Sequence, residues 1–452
     1  MERFLEKAEA IDAECPICFA KTAWPFINVF RAPDIPGEFA FIGDDKLVCC
    51  TQCRTLYRWP VSVLSDDEEQ EYGVSYYDQM TTQEQFESHV HEHFERQKSH
   101  YEAFKAVIAA RFDLKDYQRW LDVGSCGCAT AMPGIEMTTI EPDPRVVTYA
   151  KKLYSADRIH NKTIQSFKSD SLFDGVTFQS SLYCIPDAEV ALAKANKLLR
   201  DDGLLAVTIT SIFTGSHEFE GDAQTHRLED CIRGDVMWVY YSRESLSAMA
   251  ARQGFEFLDQ ETVHVSYSPH RTLTTFLYRK VDHPISGPTV EEIAGPNARQ
   301  IEALLTGFEE VTRKTLSMFD RSDTAFFGEP SLFEEFSGLH DFRNSPIFVD
   351  GIGSPHPSGI VQLSSLIDLF NLVANGTVKH VVLCSFRNKE QVLGNMLRYV
   401  PLGGIRIFLP TRVSGIKDLH AEIFGKRQLA KAFAVQEIGI AAAQRSAYVE
   451  QL

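Results

Sequence analysis

The sequence predicts an α/β protein made of three parts. Five of its ten cysteines lie between Cys15 and Cys53, and strand-like and helix-like apolar runs alternate through the middle of the chain. The alternation resumes after a proline- and glycine-containing stretch from His283 to Pro288. Because alternating strands and helices favour parallel sheets, we predict a small domain over residues 1–70 and two α/β domains over residues 71–282 and 289–452.

Length and charge limit the classes of partner. A chain of 452 residues exceeds one ordinary domain of ~100 to 200 residues. The 45 basic residues are outnumbered by 62 acidic ones, and a net charge of −17 disfavours nucleic acids and anionic bilayers. The longest apolar runs are shorter than the ~20 residues of a membrane span, and residues 1–10 lack a signal-peptide pattern. We therefore expect a cytoplasmic protein with no nucleic-acid partner and no membrane span.

Two Cys-x-x-Cys turns predict a metal site near the amino terminus. Cys15 and Cys18 form one pair and Cys50 and Cys53 the other, with 31 residues between them. Each turn can present two thiolates to one tetrahedral Zn²⁺. The strand-like segments between the turns are typical of a zinc ribbon. Four sulfur ligands would close the coordination sphere, so this zinc is expected to be structural, with Cys49 as a bystander.

The middle domain contains the layout of a nucleotide site. A long helix is predicted from Gln83 to Phe112, followed by an apolar strand that ends in a small-residue turn from Asp122 to Cys128. A second strand ends at Glu141. Small residues let the backbone approach a ligand, and an acid at the end of the next strand can accept hydrogen bonds from two ribose hydroxyls. We expected the Glu141 side chain to face this crevice rather than the core.

Motifs further along resemble the class I S-adenosylmethionine (SAM)-dependent methyltransferases. They are Phe-Asp at residue 173, Ile-Pro-Asp at 185, Leu-Leu-Arg-Asp-Asp-Gly-Leu-Leu at 198 and Tyr-Ser-Arg-Glu-Ser-Leu at 241. With the cysteine pairs, the chain is similar to the zinc-binding sugar C-methyltransferase group over nearly its whole length. The resemblance implies a Rossmann-like methyltransferase domain, SAM along Asp122, Gly124 and Gly127 with Glu141 on the ribose, and a sugar or nucleotide-linked sugar as acceptor.

Departures from this group leave a second interpretation open. Cys126 and Cys128 replace turn glycines, and only Ala129 to Ile135 separate the turn from the next strand. A parallel crossover normally needs ~10 to 12 residues. Cys184 replaces a histidine of the group, which leaves His226 and Tyr77 as weak candidates for general-base work. The alternative is a degenerate methyltransferase-fold protein that serves as a binding or scaffold subunit.

The carboxy-terminal part repeats the βαβ pattern. A helix is predicted from Thr289 to Met318, and strands are predicted at 325–327, 347–349, 378–384 and 405–409. Helical stretches are predicted at 363–374 and 389–399. This part resembles the second Rossmann-like domain of the same group.

Overall fold

The structure is a computed structural model that describes thirteen stretches of the chain in two compact units. The stretches are residues 10–28, 46–59, 82–124, 135–154, 158–209, 237–265, 268–317, 322–328, 347–348, 362–363, 366–384, 406–409 and 436–439. Of the described residues, those up to Glu302 belong to the first unit and those from Ala303 onward to the second.

The first unit begins with a five-stranded antiparallel sheet. Its first four strands follow one another along the chain: β1 (Ile11–Asp12), β2 (Thr22–Asn28), β3 (Lys46–Cys50) and β4 (Leu56–Trp59). The fifth strand, β10 (Val239–Tyr240), comes from far along the sequence and pairs with β4. One cysteine turn lies between β1 and β2, and the other lies between β3 and β4. Because β2 and β3 are antiparallel neighbours, both turns lie at the same end of the sheet.

A seven-stranded mixed sheet forms the centre of this unit. Its order is β11-β12-β9-β8-β5-β6-β7. The parallel strands are β5 (Arg119–Val123), β6 (Glu136–Glu141), β7 (Ile159–Asn161), β8 (Phe173–Gln179) and β9 (Leu199–Ile209). A hairpin of β11 (Phe255–Val265) and β12 (Ser268–Lys280) extends it antiparallel to β9.

Helix α1 (Gln83–Ala109) covers one face of this sheet. Its apolar positions at helical spacing are buried as predicted, namely Phe86, Val90, Phe94, Tyr101, Phe104, Val107 and Ile108. They meet Trp120, Met137 and Leu204 in one apolar cluster, together with α2 (Pro144–Leu153). Burying a side chain of this size contributes about 1.5 to 3 kcal/mol. A Cβ added at Gly175 would lie 2.4 Å from the Trp120 ring, so this indole requires a glycine on the neighbouring strand.

Helices α3 (Ala188–Leu198) and α4 (Arg243–Arg252) pack near β8, β9 and β11. Both begin at residues that satisfy the free N–H groups of a first helical turn. Asp187 accepts from the Val190 N–H at 3.0 Å, and Ser242 forms a reciprocal capping box with Ser245. Each helix begins directly after a loop at the carboxyl end of a strand. The capping contacts therefore anchor those loops.

The second unit contains a six-stranded sheet of order β15-β14-β13-β16-β17-β18. Its strands are β13 (Thr324–Gly328), β14 (Ile347–Phe348), β15 (Gln362–Leu363), β16 (His380–Cys384), β17 (Arg406–Leu409) and β18 (Gln436–Gly439). All neighbours are parallel except β17 and β18. Helix α5 (Val290–Ser317) precedes the sheet, and α6 (Leu366–Ala374) lies between β15 and β16.

The predicted elements match the observed ones closely. The helix predicted from Gln83 ends at Ala109, and that predicted from Thr289 to Met318 spans Val290–Ser317. The predicted helix at 389–399 lies outside the described residues, as does the short crossover after Gly124. None of the described helices is long and apolar enough to cross a bilayer.

Candidate functional site

The four predicted metal ligands form one cluster. The sulfur atoms of Cys15, Cys18, Cys50 and Cys53 all lie within 4.8 Å of one another. The Cys15 and Cys53 sulfurs are 3.6 Å apart, and those of Cys18 and Cys50 are 3.5 Å apart. Sulfurs bound at ~2.3 Å to a tetrahedral ion would be about 3.8 Å apart. The donor set therefore fits a tetrahedral thiophilic cation.

The two turns share one backbone geometry. The amides of Ile17 and Gln52 donate to the first sulfur of their turns, each at 3.4 Å. The residue after each second cysteine, Phe19 or Arg54, has a positive φ near 60° and donates its N–H to the carbonyl of the first cysteine. The amide donors, together with the reversal of the chain direction at the positive-φ residue, orient each pair of sulfurs.

The four thiols affect one another's ionisation. Hydrogen bonds to the Cys18, Cys50 and Cys53 sulfurs, followed by burial, raise the pKa of the Cys15 thiol, whereas the hydrogen bond with Cys15 lowers the pKa of the Cys18 thiol. Metal ligation requires the thiolate form, so a bound cation would favour ionisation of Cys15. Cys49 lies outside the cluster, and burial raises the pKa of its thiol.

The five-stranded sheet and its two cysteine turns together form what we call the cysteine module. Specific contacts hold this module to the helices and the turn beside the seven-stranded sheet. The Arg252 guanidinium donates to the Ile17 and Pro16 carbonyls at 2.9 and 3.3 Å, and it binds both carboxylate oxygens of Glu189. Trp238 accepts from the Arg58 N–H and donates its own N–H to the Tyr183 carbonyl. The module thus reaches the turn that follows β8.

The strand order of the central sheet reverses at β5. The chain leaves β5 for β6 on one side and later returns to β8 on the other. In open α/β sheets, ligands bind at the carboxyl ends of the strands at such a reversal. Gly124 follows β5 there with φ +71°, and a Cβ on it would lie 3.0 Å from the Ser181 Cβ. The Ser181 hydroxyl donates to the Val123 carbonyl, which closes the two strand ends against each other.

The two predicted cofactor acids are buried and already hold internal partners. Asp122 accepts from the Tyr101 hydroxyl at 2.5 Å and from Thr139 at 3.4 Å. Glu141 is only 4% exposed, and its Oε1 accepts from the Asp143 N–H at 3.1 Å. The chain turns into α2 directly after Glu141, so the Asp143 N–H takes one acceptor site of this carboxylate. That Glu141 faces the crevice stays a prediction.

Residues that sequence reasoning missed lie at the end of β8. Gln179 Oε1 and Ser180 Oγ are buried, and neither has a hydrogen-bond partner among the described residues. Ser180 also has φ +59°, a conformation that non-glycine residues rarely adopt. Buried polar atoms without partners and strained backbone cluster at functional sites. The only signal for these two residues in the sequence is their position, where a predicted strand passes into a loop.

Three predicted site residues cannot be placed. Gly127, His226 and Tyr77 lie outside the described residues. Cys184, in place of the histidine of the sugar methyltransferase group, is half-buried in the 3-10 turn Leu182–Cys184 after β8.

Comparisons with known proteins point to the same domain. A family model described as a methyltransferase domain matches residues 121–207. A search of curated proteins finds no match. Among solved structures, 1,6-didemethyltoxoflavin-N1-methyltransferase from Burkholderia thailandensis is 16% identical with a TM-score of 0.35, covering 53% of this chain and 97% of its own.

Two further structures are similar at the same level. A SAM-dependent methyltransferase from Thermotoga maritima is 19% identical with a TM-score of 0.33, covering 43% of this chain and 98% of its own. The N-methyltransferase NodS from Bradyrhizobium japonicum is 16% identical with a TM-score of 0.30, covering 42% of this chain and 88% of its own. The methyltransferase family model matches residues 121–207, and the strand order reverses at β5 within this segment. The seven-stranded sheet of this protein therefore has a Rossmann-like α/β class I methyltransferase fold.

Proposed function

We propose that this protein is a SAM-dependent methyltransferase that acts on a sugar or nucleotide-linked sugar. The observation that carries the proposal is the crevice between β5 and β8, which lies within the matched methyltransferase segment. The sugar acceptor rests on the resemblance to the sugar C-methyltransferase group, and a cytoplasmic location and the lack of a nucleic-acid partner rest on composition.

The residues at the crevice fit SAM. Gly124 continues the chain past β5 with φ +71°, which favours glycine, and Gln179 and Ser180 offer polar atoms that lack partners among the described residues. Glu141 would hold the ribose hydroxyls, since a carboxylate has about four acceptor sites and can bind them while keeping the Asp143 N–H. Bound SAM would supply a methyl group on a sulfonium centre. The protein would contribute mainly positioning, with His226 or Tyr77 as candidates to remove a proton from the acceptor.

The cysteine cluster supports a structural zinc site in a ribbon-like domain. Four thiolates with sulfur separations of 3.5 and 3.6 Å suit Zn²⁺ and leave no open position for water or substrate. Cys15, Cys18, Cys50 and Cys53 would hold the ion. The second unit, with five parallel strands and one antiparallel edge strand, supports a second Rossmann-like domain over residues 289–452.

The test of the methyltransferase proposal is SAM binding measured by calorimetry. We expect the wild type to bind SAM and Glu141→Ala to bind about 10 to 100-fold more weakly, because charge-assisted hydrogen bonds are lost. Glu136→Ala is the matched control, since Glu136 begins the same strand and pairs with Arg158 at the opposite end. No heat and no thermal shift with millimolar SAM would refute the proposal.

One observation favours the scaffold alternative. Asp122 and Glu141 are both buried on partners within the chain, so neither needs a ligand. A protein that kept the fold and lost the cofactor would show this arrangement and would give the negative result above.

A further inference from the structure

A groove of about 740 Å³ lies along the open edge of the seven-stranded sheet, at β7. The crossover from β7 to β8 forms one wall. It spans only residues 162–172 and contains no helix, whereas such a crossover usually carries a helix that covers the sheet face. Side chains on the neighbouring strands, among them Arg119, Thr138 and His160, therefore line the groove.

The groove concentrates positive charge in an acidic protein. Arg119, Lys151, Lys162 and Lys168 line it, and Asp170 is the one acidic residue among the described lining residues. The chain as a whole has 62 acidic and 45 basic residues, so this local balance is the reverse of the average.

Three of these cations have no counter-ion among the described residues. Across the part of the chain that the structure describes, the ammonium groups of Lys151, Lys162 and Lys168 form no ion pair and no hydrogen bond. Lys152, one residue from Lys151, pairs with Glu87 at 3.3 Å. Like charges gathered without carboxylates repel one another, and a bound anion would remove that repulsion.

The wall of the groove is held in place by Arg119. Its guanidinium donates to the Ser171 hydroxyl at 3.0 Å and to the Leu172 carbonyl at 3.2 Å.

Phe167 packs between the His160 and Phe173 rings, with centroid distances of 5.7 and 6.3 Å. Both phenyl rings are almost fully buried, so they support the wall and offer no open face for a base to stack on. Burial and the Lys151 charge lower the pKa of His160, which reports the positive potential here.

We infer that this groove binds a small phosphorylated ligand through its phosphate groups, with a diphosphate as the best match to three free lysines. Its volume falls in the range of ~300 to 1,000 Å³ that suits small molecules. A long polyanion such as nucleic acid would be repelled by the net charge of −17.

The groove is separate from the proposed cofactor crevice. None of Asp122, Gly124 and Glu141 lines the groove, and Arg119 begins β5 whereas Gly124 follows its end. The inference therefore goes beyond the methyltransferase proposal and holds whether or not the crevice binds SAM.

The test is calorimetric titration of the full chain with inorganic pyrophosphate and with the nucleoside diphosphate UDP. We expect both to bind, and Lys162→Ala combined with Lys168→Ala to weaken binding at least about tenfold. Binding should also weaken as salt is raised, since exposed charges are screened. Tighter binding of UDP than of pyrophosphate would show that the natural ligand carries a nucleoside, and equal binding would show that phosphate alone is recognised.

Lys152→Ala is the control for general loss of charge, because this lysine already has a partner in Glu87. It should leave pyrophosphate affinity within about twofold of the wild type. The substituted lysines are exposed, so unchanged thermal unfolding will verify that the double variant is folded. Absence of pyrophosphate binding to the wild type at low salt, equal affinity in the double variant, or a stronger response to a single-stranded oligonucleotide than to pyrophosphate would overturn the inference.

Discussion

The cysteine cluster and the β5–β8 crevice are assembled in different ways. Each half of the cluster is a four-residue turn whose amides and positive-φ residue orient two sulfurs locally. The crevice depends on the ends of β5, β6 and β8, so its geometry follows from strand register and from the turn into α2.

The two regions also differ in what their polar groups do without a ligand. The four sulfurs face one another, and hydrogen bonds within the cluster, with burial, raise the pKa of the Cys15 thiol. The acids of the crevice instead accept hydrogen bonds from Tyr101, Thr139 and the Asp143 N–H. Metal binding should therefore be strongly coupled to folding. A cofactor would instead bind in a crevice whose acids already accept hydrogen bonds from within the chain.

The largest effect is expected from breaking the cluster. Cys53→Ser should abolish binding of one Zn²⁺ per chain, because a structural zinc site contributes ~10 kcal/mol or more. Elemental analysis should show the loss of zinc, and hydrogen exchange should show the loss of protection in residues 10–28 and 46–59. Since β10 pairs with β4, protection at Val239 and Tyr240 should fall as well.

Cys184→Ser is the control for this variant, since Cys184 lies outside the cluster. It should retain its zinc and its hydrogen-exchange protection. A fully folded native protein that contains no metal would contradict the zinc assignment.

An intermediate effect is expected from separating the module from the sheet. Arg252→Gln removes the hydrogen bonds to Pro16 and Ile17 and the paired contact with Glu189. Because hydrogen bonds to charged groups are worth more than neutral ones, we expect a loss of about 2 to 3 kcal/mol in the free energy of unfolding, measured by denaturant titration.

The matched change Arg243→Gln removes an exposed ion pair with the adjacent Glu244 on the same helix. Surface pairs of this kind contribute little, so its loss should stay below about 0.5 kcal/mol. Equal effects of the two variants would mean that Arg252 does not join the module to the sheet.

The smallest effect is expected at Glu141. Glu141→Ala leaves the buried Asp143 N–H without its acceptor, and an unpaired buried donor costs about 1 to 2 kcal/mol. A side chain that faced the crevice without internal contacts would cost under about 1 kcal/mol on the same change. Glu141→Gln keeps an acceptor oxygen and should cost less than about 0.5 kcal/mol. If denaturant titration shows equal losses for the two variants, the Asp143 contact is not what holds this side chain inside.

Much of the fold could be read from local patterns. The apolar positions of α1 are buried at the predicted spacing, and the strands that end at Val123 and Glu141 lie where the alternation placed them. The Cys-x-x-Cys spacing likewise identified the four clustered sulfurs, because a turn of this length determines which side chains can meet. In each case the signal repeats within a few residues, as the two cysteines of one turn or the apolar positions on one face of a helix, so the sequence carries it directly.

Other features were decided only by the tertiary structure. Pairing of β10 with β4 involves residues far apart in sequence, and the groove beside β7 depends on a helix that a crossover lacks. The sequence by itself determined the residue types, the order of the elements and the metal-ligand spacing. Strand register and packing decided which acids are buried, which lysines are left unpaired and which strand completes the cysteine module, because these depend on contacts that no local pattern encodes.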